Sequence, residues 1–249
     1  FALMWAATDR AKVALLVEKG ADVNATSELG HTPLMLAAMS DNSSAVVRLL
    51  LERGADPKPV AKADKLTALI AASRGNDLES IRLLTAAGGD VNAADLAGAT
   101  PLMYASSHGN FAAVTLLLAR GANVNAVSAP PGAVPGSHVK NGIIQIGRLT
   151  PLLVAAANGG PVEVVNALIA AGADVNARDA RGLTVLMTAV ATDHGDPAIV
   201  RTLVAKKADL TATDVNGETA LDWARKAGNT PDAAILKRAG APAAKPAAI

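Results

Sequence analysis

Apolar residues along this chain recur three and four positions apart in short runs, separated by short polar segments rich in Gly, Asp and Asn. Between residues 95 and 126, for example, apolar side chains fall at this spacing in 102–106 and again in 114–118. This period predicts two short amphipathic helices joined by a tight turn. Neither helix is long enough to be stable alone, so each must bury its apolar face against a neighbour.

Residues at the ends of these two predicted helices support the same boundaries. Thr100 is a favoured N-cap, and Pro101 fits the first helical position, where its missing N–H costs nothing. Gly109 and Gly121 supply the left-handed conformation that commonly ends a helix. The segment 95–98, with Asp first and Gly fourth, predicts a β-turn ahead of the first helix.

This helix–turn–helix unit is repeated along the chain. Gly-Ala-Asp-Val-Asn-Ala, or a variant of it, starts at Gly20, Gly54, Gly88, Gly121 and Gly172. Thr-Pro-Leu, or a near relative, starts at Thr32, Thr67, Thr100, Thr150, Thr184 and Thr219. Successive starts are 33–35 residues apart, except for one step of 50 or 51. In period and in both markers, the chain resembles the ankyrin repeat family.

The resemblance implies an all-α ankyrin-repeat solenoid of about seven helix-turn-helix repeats with projecting β-turn fingers. We expect the array to cover residues 1–241, with a partial first repeat at 1–25 and a polar capping repeat at 213–241. Residues 242–249, rich in Ala and Pro, are expected to form a linker or tail within a longer polypeptide. The long step indicates an insertion of about 17 residues that extends one finger over 127–148.

Two substitutions depart from the pattern. Lys65 replaces the Gly of one finger turn, so that turn must be distorted or longer. The segment around Lys206 and Lys207 lacks the Gly that ends the second helix in the other repeats.

The composition and the absence of certain motifs argue against several classes of function. The net charge of +1 gives no support to nucleic-acid binding. The chain has no Cys, which excludes disulfides and thiolate metal sites, and no apolar run is long enough to cross a membrane. The four His lack metal-ligand spacing, and the sequence contains no phosphate-binding loop or nucleophile elbow. We therefore expect no enzyme, no cofactor, no metal and no small-molecule substrate.

In ankyrin repeats, finger tips and first helices bind other proteins. Carried over by position, the resemblance gives the candidate contact residues Glu28, Leu29, His31, Met39, Ser40, Leu66, Arg74, Leu96, Ser107, His108, Asn158, Arg181 and Leu183. Trp5, Tyr104 and Trp223 occupy equivalent places in three repeats, and packing at the groove wall is favoured over a role as exposed anchors. Lys58, Lys62 and Lys65 are interpreted as a solvated face rather than a patch for an acidic partner.

The inserted segment contributes four more candidates: Lys140, Asn141, Ile143 and Ile144. Asn141 followed by Gly142 predicts a two-residue hairpin turn next to these isoleucines. One hypothesis is a partner-binding finger with an apolar tip. The alternative is a loop that folds back to bury its isoleucines against neighbouring fingers.

The leading functional hypothesis is therefore a protein-interaction array whose partner is another protein or another domain of the same polypeptide. A second hypothesis rests on the Ala-rich Thr-Pro-Leu-Met units and the segment 221–230. These are similar to arrays in bacterial multidomain proteins, some of which carry c-type cytochrome modules beyond an Ala/Pro linker. That similarity implies a scaffold or docking domain of a periplasmic redox protein. It favours a periplasmic or secreted location over the cytoplasm.

Overall fold

The structure, a computed structural model, describes residues 2–40, 43–132, 147–192 and 196–242. Within these ranges the chain forms fourteen helices in seven consecutive pairs. In chain order they are α1 (Ala2–Trp5), α2 (Arg10–Glu18), α3 (Pro33–Ala38), α4 (Ser44–Glu52), α5 (Ala68–Arg74), α6 (Leu78–Ala86), α7 (Pro101–Ser107), α8 (Phe111–Ala119), α9 (Pro151–Ala157), α10 (Val162–Ala170), α11 (Val185–Val190), α12 (Pro197–Ala205), α13 (Ala220–Lys226) and α14 (Thr230–Arg238). Over the same ranges, no helix has the length and apolar character needed to cross a bilayer.

Contacts between helices divide the chain into two compact units. The N-terminal unit comprises Phe1–Ala105 and Thr115–Asn123, and the C-terminal unit comprises Ser106–Val114 and Val124–Ile249. In the N-terminal unit the first helices of each pair stack as α1, α3 and α5, and the second helices as α2, α4 and α6. In the C-terminal unit α9, α11 and α13 stack in the same way, as do α10, α12 and α14. The all-α repeat fold predicted from the sequence is confirmed.

The first helices begin as their sequence predicts. The Thr100 Oγ1 accepts a hydrogen bond from the Met103 N–H at 3.3 Å, and Pro101 is the first residue of α7. The Thr67 Oγ1 accepts from the Ile70 N–H in the same way, at 3.2 Å. Each side chain satisfies an N–H that has no partner within its own helix.

Apolar residues at the repeated core positions of both helices are buried in each unit. The Leu two positions after the capping Thr is at most 2% exposed at every occurrence: Leu34, Leu69, Leu102, Leu152, Leu186 and Leu221. In the second helices, Val47, Ile81, Val165 and Val200 have no exposed surface. This burial supplies the stability that such short helices lack on their own.

Both departures from the repeat pattern have a local structural solution. Lys207 takes the left-handed conformation, with φ 63°, at the position where other repeats have Gly. Lys65 does the same in its finger, with φ 59°. That finger is also longer: the Ala61 N–H donates to the Leu66 oxygen, five residues on, whereas Asp95 pairs with Ala99, four residues on. The alternative of a longer turn at Lys65 is therefore the one found.

Candidate partner-binding surface

Three of the described finger turns are held in one conformation by an Asp side chain. In the third finger the Asp95 Oδ1 accepts from the N–H groups of Ala97 and Ala99, at 2.9 and 3.0 Å. The Gly98 N–H donates to the Asp95 carbonyl at 2.8 Å, which closes the predicted turn. Asp179 and Asp214 make the equivalent side-chain bonds in two later fingers. The local sequence thus fixes the backbone from which the tip side chains project.

An aromatic side chain ties two of these turns to the first helix of the same repeat. The Tyr104 hydroxyl donates to the Asp95 Oδ2 at 2.6 Å, and the Trp223 Nε1 donates to the Asp214 Oδ2 at 3.1 Å. Burial, followed by the charge and the hydrogen bond of Asp95, raises the pKa of Tyr104. Burial raises the pKa of the Asp214 carboxyl. The hydrogen bonds that it accepts from backbone N–H groups and from the Trp223 indole outweigh burial, so the pKa is lowered overall. Asp214 is therefore a carboxylate at neutral pH.

Neighbouring fingers are also joined through their tips. In the N-terminal unit, the Lys62 N–H donates to the Leu29 carbonyl at 2.9 Å, and the Leu96 N–H donates to the Asp64 carbonyl at 3.1 Å. The His31 Nε2 lies 3.2 Å from the Asp64 Oδ2. In the C-terminal unit, the Val215 N–H donates to the Arg181 carbonyl at 3.2 Å. Each unit therefore carries a row of tips whose relative positions are set by backbone hydrogen bonds.

An Asn at the base of several fingers links each repeat to the next. The Asn92 Nδ2 donates to the Gly121 carbonyl at 3.1 Å, and its Oδ1 accepts from the Asn123 N–H at 2.7 Å. Asn24 makes the same pair of bonds in the N-terminal unit, and Asn125 does so in the C-terminal unit. We call these side chains the asparagine row. Lys58 occupies the equivalent position in the second repeat.

Most of the predicted contact residues reach the surface. Eight of them are exposed: Glu28, Leu29, Met39, Arg74, Leu96, His108, Asn158 and Arg181. Three are half-buried: His31, Ser40 and Ser107. Four lie outside the described residues, namely Lys140, Asn141, Ile143 and Ile144. Some exposed members already have partners, since Arg181 binds the Asp179 Oδ2 and the Asn158 Nδ2 donates to the Ser107 carbonyl.

Two predicted contact residues do not reach the surface. Leu66 is 1% exposed and Leu183 is 4% exposed. Each closes its finger turn, because its carbonyl accepts from the first residue of that turn. Both side chains are buried immediately before the capping Thr of the next helix, as is that of Leu149. The prediction that Leu66 and Leu183 contact a partner was wrong for this reason, and we remove them from the candidate surface.

The three equivalent aromatic residues have different environments. Tyr104 and Trp223 are half-buried against their own fingers, in agreement with the expected packing. Trp5, in contrast, is 89% exposed. For Trp5, whose equivalent finger residues would precede Phe1, the expected packing stays a prediction. The spacing of nine residues between each Asp and its aromatic partner was the sequence signal that could have revealed the two bonds.

The long insertion retains the base of an ordinary finger. The Ser128 N–H donates to the Leu149 carbonyl at 2.9 Å, and the Leu149 N–H donates to the Ser128 Oγ, also at 2.9 Å. The Arg148 N–H then donates to the Ala129 carbonyl at 3.2 Å. The extra residues thus lie between Ser128 and Leu149, within the predicted 127–148. Residues 133–146, including His138, lie outside the described ranges.

The part of the chain that the structure describes contains no cluster of metal-ligating side chains. Over these ranges, no three His, Asp or Glu residues lie together in a way that could hold a metal ion. Residues 193–195, which include His194, lie outside these ranges. An open cavity of about 300 Å³ lies between α13 and α14 and is lined by small side chains such as Ala224 and Ala233 together with Asn229 and Lys237.

Comparison with known proteins gives one clear match. A family model described as ankyrin repeats matches in three copies, at residues 1–61, 58–128 and 152–243. A search of curated proteins found no match for the chain. The stretch between the second and third copies contains the insertion.

Proposed function

Because the chain belongs to the ankyrin repeat family, we propose that it binds another protein through its finger tips and the exposed side chains of its first helices. Ankyrin repeats are generally protein–protein interaction modules, and the family is typically non-enzymatic. The proposal assigns no reaction to this array. Its partner is a separate protein or another domain of the same polypeptide.

The observation that carries the proposal is the fixed backbone beneath the exposed tips. Leu29 and Leu96 are 56% and 43% exposed, yet the turns that carry them are hydrogen-bonded internally and to the neighbouring finger. Because the backbone beneath them is already ordered, little backbone conformational entropy is lost on binding, which favours affinity. Met39, at the end of α3, adds a further exposed apolar side chain.

Photocrosslinking in the cells that produce the protein tests this proposal. The photoreactive amino acid benzoylphenylalanine would replace Leu29 or Met39, one chain at a time. Leu15, on the second helix α2, is the matched control because its exposure of 55% is close to that of Leu29. We expect the same adduct from Leu29 and Met39, identified by mass spectrometry, and none from Leu15. Equal adducts from all three positions, or none from Leu29 and Met39, would contradict the proposal.

The same experiment addresses the docking-domain alternative. If the partner is a c-type cytochrome module of the same polypeptide in the periplasm, the crosslink joins two segments of one chain. The mass of the adduct then equals that of the uncrosslinked polypeptide. An adduct heavier than the polypeptide indicates a separate partner.

A further inference from the structure

One core position of the second helices holds a carboxyl group in α14 and an uncharged side chain in the preceding repeats. The third residue of each second helix from α4 to α12 is at most 3% exposed: Val46, Ser80, Ala113, Val164 and Ile199. In α14 the same position holds Asp232, which has no exposed surface. An ionisable side chain thus stands where the repeat otherwise buries an apolar or hydroxyl group.

The carboxyl group of Asp232 has a hydrogen-bond partner on one oxygen only. The Asn229 Nδ2 donates to the Oδ2 at 2.6 Å, and the Asp232 N–H donates to the Asn229 Oδ1 at 3.2 Å. The Oδ1 is buried and has no hydrogen-bond partner among the residues that the structure describes. Such an oxygen is far more costly on a carboxylate than on a neutral carboxyl group, because the charged form loses more solvation.

Helix α6 makes the same contact with the charge in the other position. There the capping residue is Asp77, which is half-buried, and the buried Ser80 Oγ donates to its Oδ2 at 2.6 Å. In α14 the neutral Asn229 is the cap, and the carboxyl group is the buried member of the pair. The exchange moves the ionisable group from a position that water can reach to one that water cannot reach.

Helix α14 packs against α12 and α13. Burial raises the pKa of Asp232, and the negative charge of Asp196 on α12 acts in the same direction. The hydrogen bond from Asn229 and the positive charge of Arg201 on α12 act in the opposite direction, but burial outweighs them.

The other charged groups of these helices do not offset the buried carboxyl group. On α13, Arg225 lies 3.5 Å from Asp222, and Lys226 is hydrogen-bonded to Glu218. On α14 the basic residues, Lys237 and Arg238, are in the last turn, whereas Asp232 is in the first. Arg201 is therefore the cation that acts on Asp232, and it forms no ion pair shorter than 4 Å with a described carboxylate.

The direction of the pH effect follows from these contacts. Because the pKa of Asp232 is higher in the folded chain than in an opened one, the folded form binds the proton more tightly. The packing of α14 is then strongest below the pKa of an exposed Asp, about 4. It weakens as the pH rises through the folded-state pKa, since opening gives the carboxylate access to water.

We propose that Asp232 is a pH-sensitive latch, whose neutral carboxyl group holds α14 against α12 and whose ionisation favours the local opening of α14. Local opening of single elements is common in folded proteins, and its free energy varies from one element to another. The latch acts on the packing of one helix pair. It is separate from the proposed partner binding through finger tips and first helices.

Hydrogen–deuterium exchange of the intact chain, read by mass spectrometry, tests the latch. Protection factors are compared at about pH 4 and about pH 7, after correction for the intrinsic effect of pH on exchange. We expect the peptide that contains α14 to lose protection at least about threefold at the higher pH, and the peptide that contains α10 to change less. In Asp232→Asn the loss in α14 should disappear. The same loss in α10, or an undiminished loss in Asp232→Asn, would overturn the proposal.

Two variants of α12 keep the test decisive if Asp232→Asn fails to fold, which circular dichroism shows. Arg201→Gln removes the charge that favours ionisation, so the pH effect on α14 should become larger. Asp196→Asn removes the charge that opposes ionisation, so the effect should become smaller. Asn can still accept the capping bond that the Ala198 N–H donates to Asp196 at 2.8 Å. Changes in the same direction in both variants, or no change in either, would overturn the proposal.

Discussion

The asparagine row gives a direct test of how neighbouring repeats are held together, through the variant Asn92→Ala. This change removes the two side-chain hydrogen bonds of Asn92, to the Gly121 carbonyl at 3.1 Å and from the Asn123 N–H at 2.7 Å. The backbone bond from the Asn92 N–H to the Asp90 Oδ1 at 2.8 Å does not involve the replaced side chain. The substitution thus isolates the contribution of the link between two repeats.

The expected cost follows from these two bonds. A hydrogen bond contributes about 0.5–1.5 kcal/mol to the free energy of unfolding. Both bonds lie at the surface, where water can replace the lost partner, so each belongs to the lower part of that range. We expect Asn92→Ala to lower the free energy of unfolding by about 1–2 kcal/mol. With a urea m-value of about 2 kcal/mol/M, the midpoint falls by about 0.5–1 M.

Lys58→Ala is the matched control, because Lys58 occupies the same row and makes no side-chain hydrogen bond to another described residue. Urea unfolding of both variants and the parent is followed by circular dichroism at 222 nm. The control Lys58→Ala should unfold at the same urea concentration as the unsubstituted chain. If the free energies of unfolding of Asn92→Ala and Lys58→Ala agree within about 0.3 kcal/mol, the row does not couple repeats and the reasoning is refuted.

Three further changes test other parts of the structure. Lys207→Gly should raise the free energy of unfolding by about 0.5–1 kcal/mol in urea titration, since Gly relieves the left-handed backbone at φ 63°. Asp214→Asn should cost about 1–2 kcal/mol at pH 7, measured by thermal melting. Because the folded pKa of Asp214 is lowered, that difference should shrink as the pH falls below about 4, through the folded pKa. Replacing 129–148 with the three-residue tip Leu-Ala-Gly should stabilise the chain by about 1.7 kcal/mol in urea titration if the loop is passive.

Each of these changes has a control or a contradicting result. Gly172→Lys, with φ 92° at the equivalent site, should destabilise the chain, and a neutral effect would refute the backbone argument for Lys207. A pH-independent cost of Asp214→Asn would show that its charge contributes nothing. A stability loss on shortening 129–148 would favour the alternative in which the loop packs against neighbouring fingers.

The fold was predictable because its signals are local and repeated. These signals are a capping Thr, a Pro at the first helical position and a Gly that ends a helix. Each acts within a few residues, as at Thr100, Pro101 and Gly109. The altered finger turn at Lys65 was also predictable from the sequence, because a turn without Gly must change its length or geometry. The structure shows the extra residue.

The surface was less predictable, because exposure depends on tertiary neighbours rather than on position in the repeat. Leu66 follows the finger tip in sequence, yet its carbonyl closes the turn and its side chain is buried. One sequence gives the position of a side chain in its repeat, and the packing decides whether that side chain meets solvent.

The central claim is that finger tips and first helices bind the partner while the second helices do not. The most direct test is the affinity of the crosslinked partner, once purified, for Leu29→Glu/Met39→Glu and for the control Leu15→Glu, measured by isothermal titration calorimetry. We expect at least about a hundredfold weaker binding for the first variant and an unchanged affinity for the control. Equal affinity for both variants would show that the partner binds elsewhere on the chain.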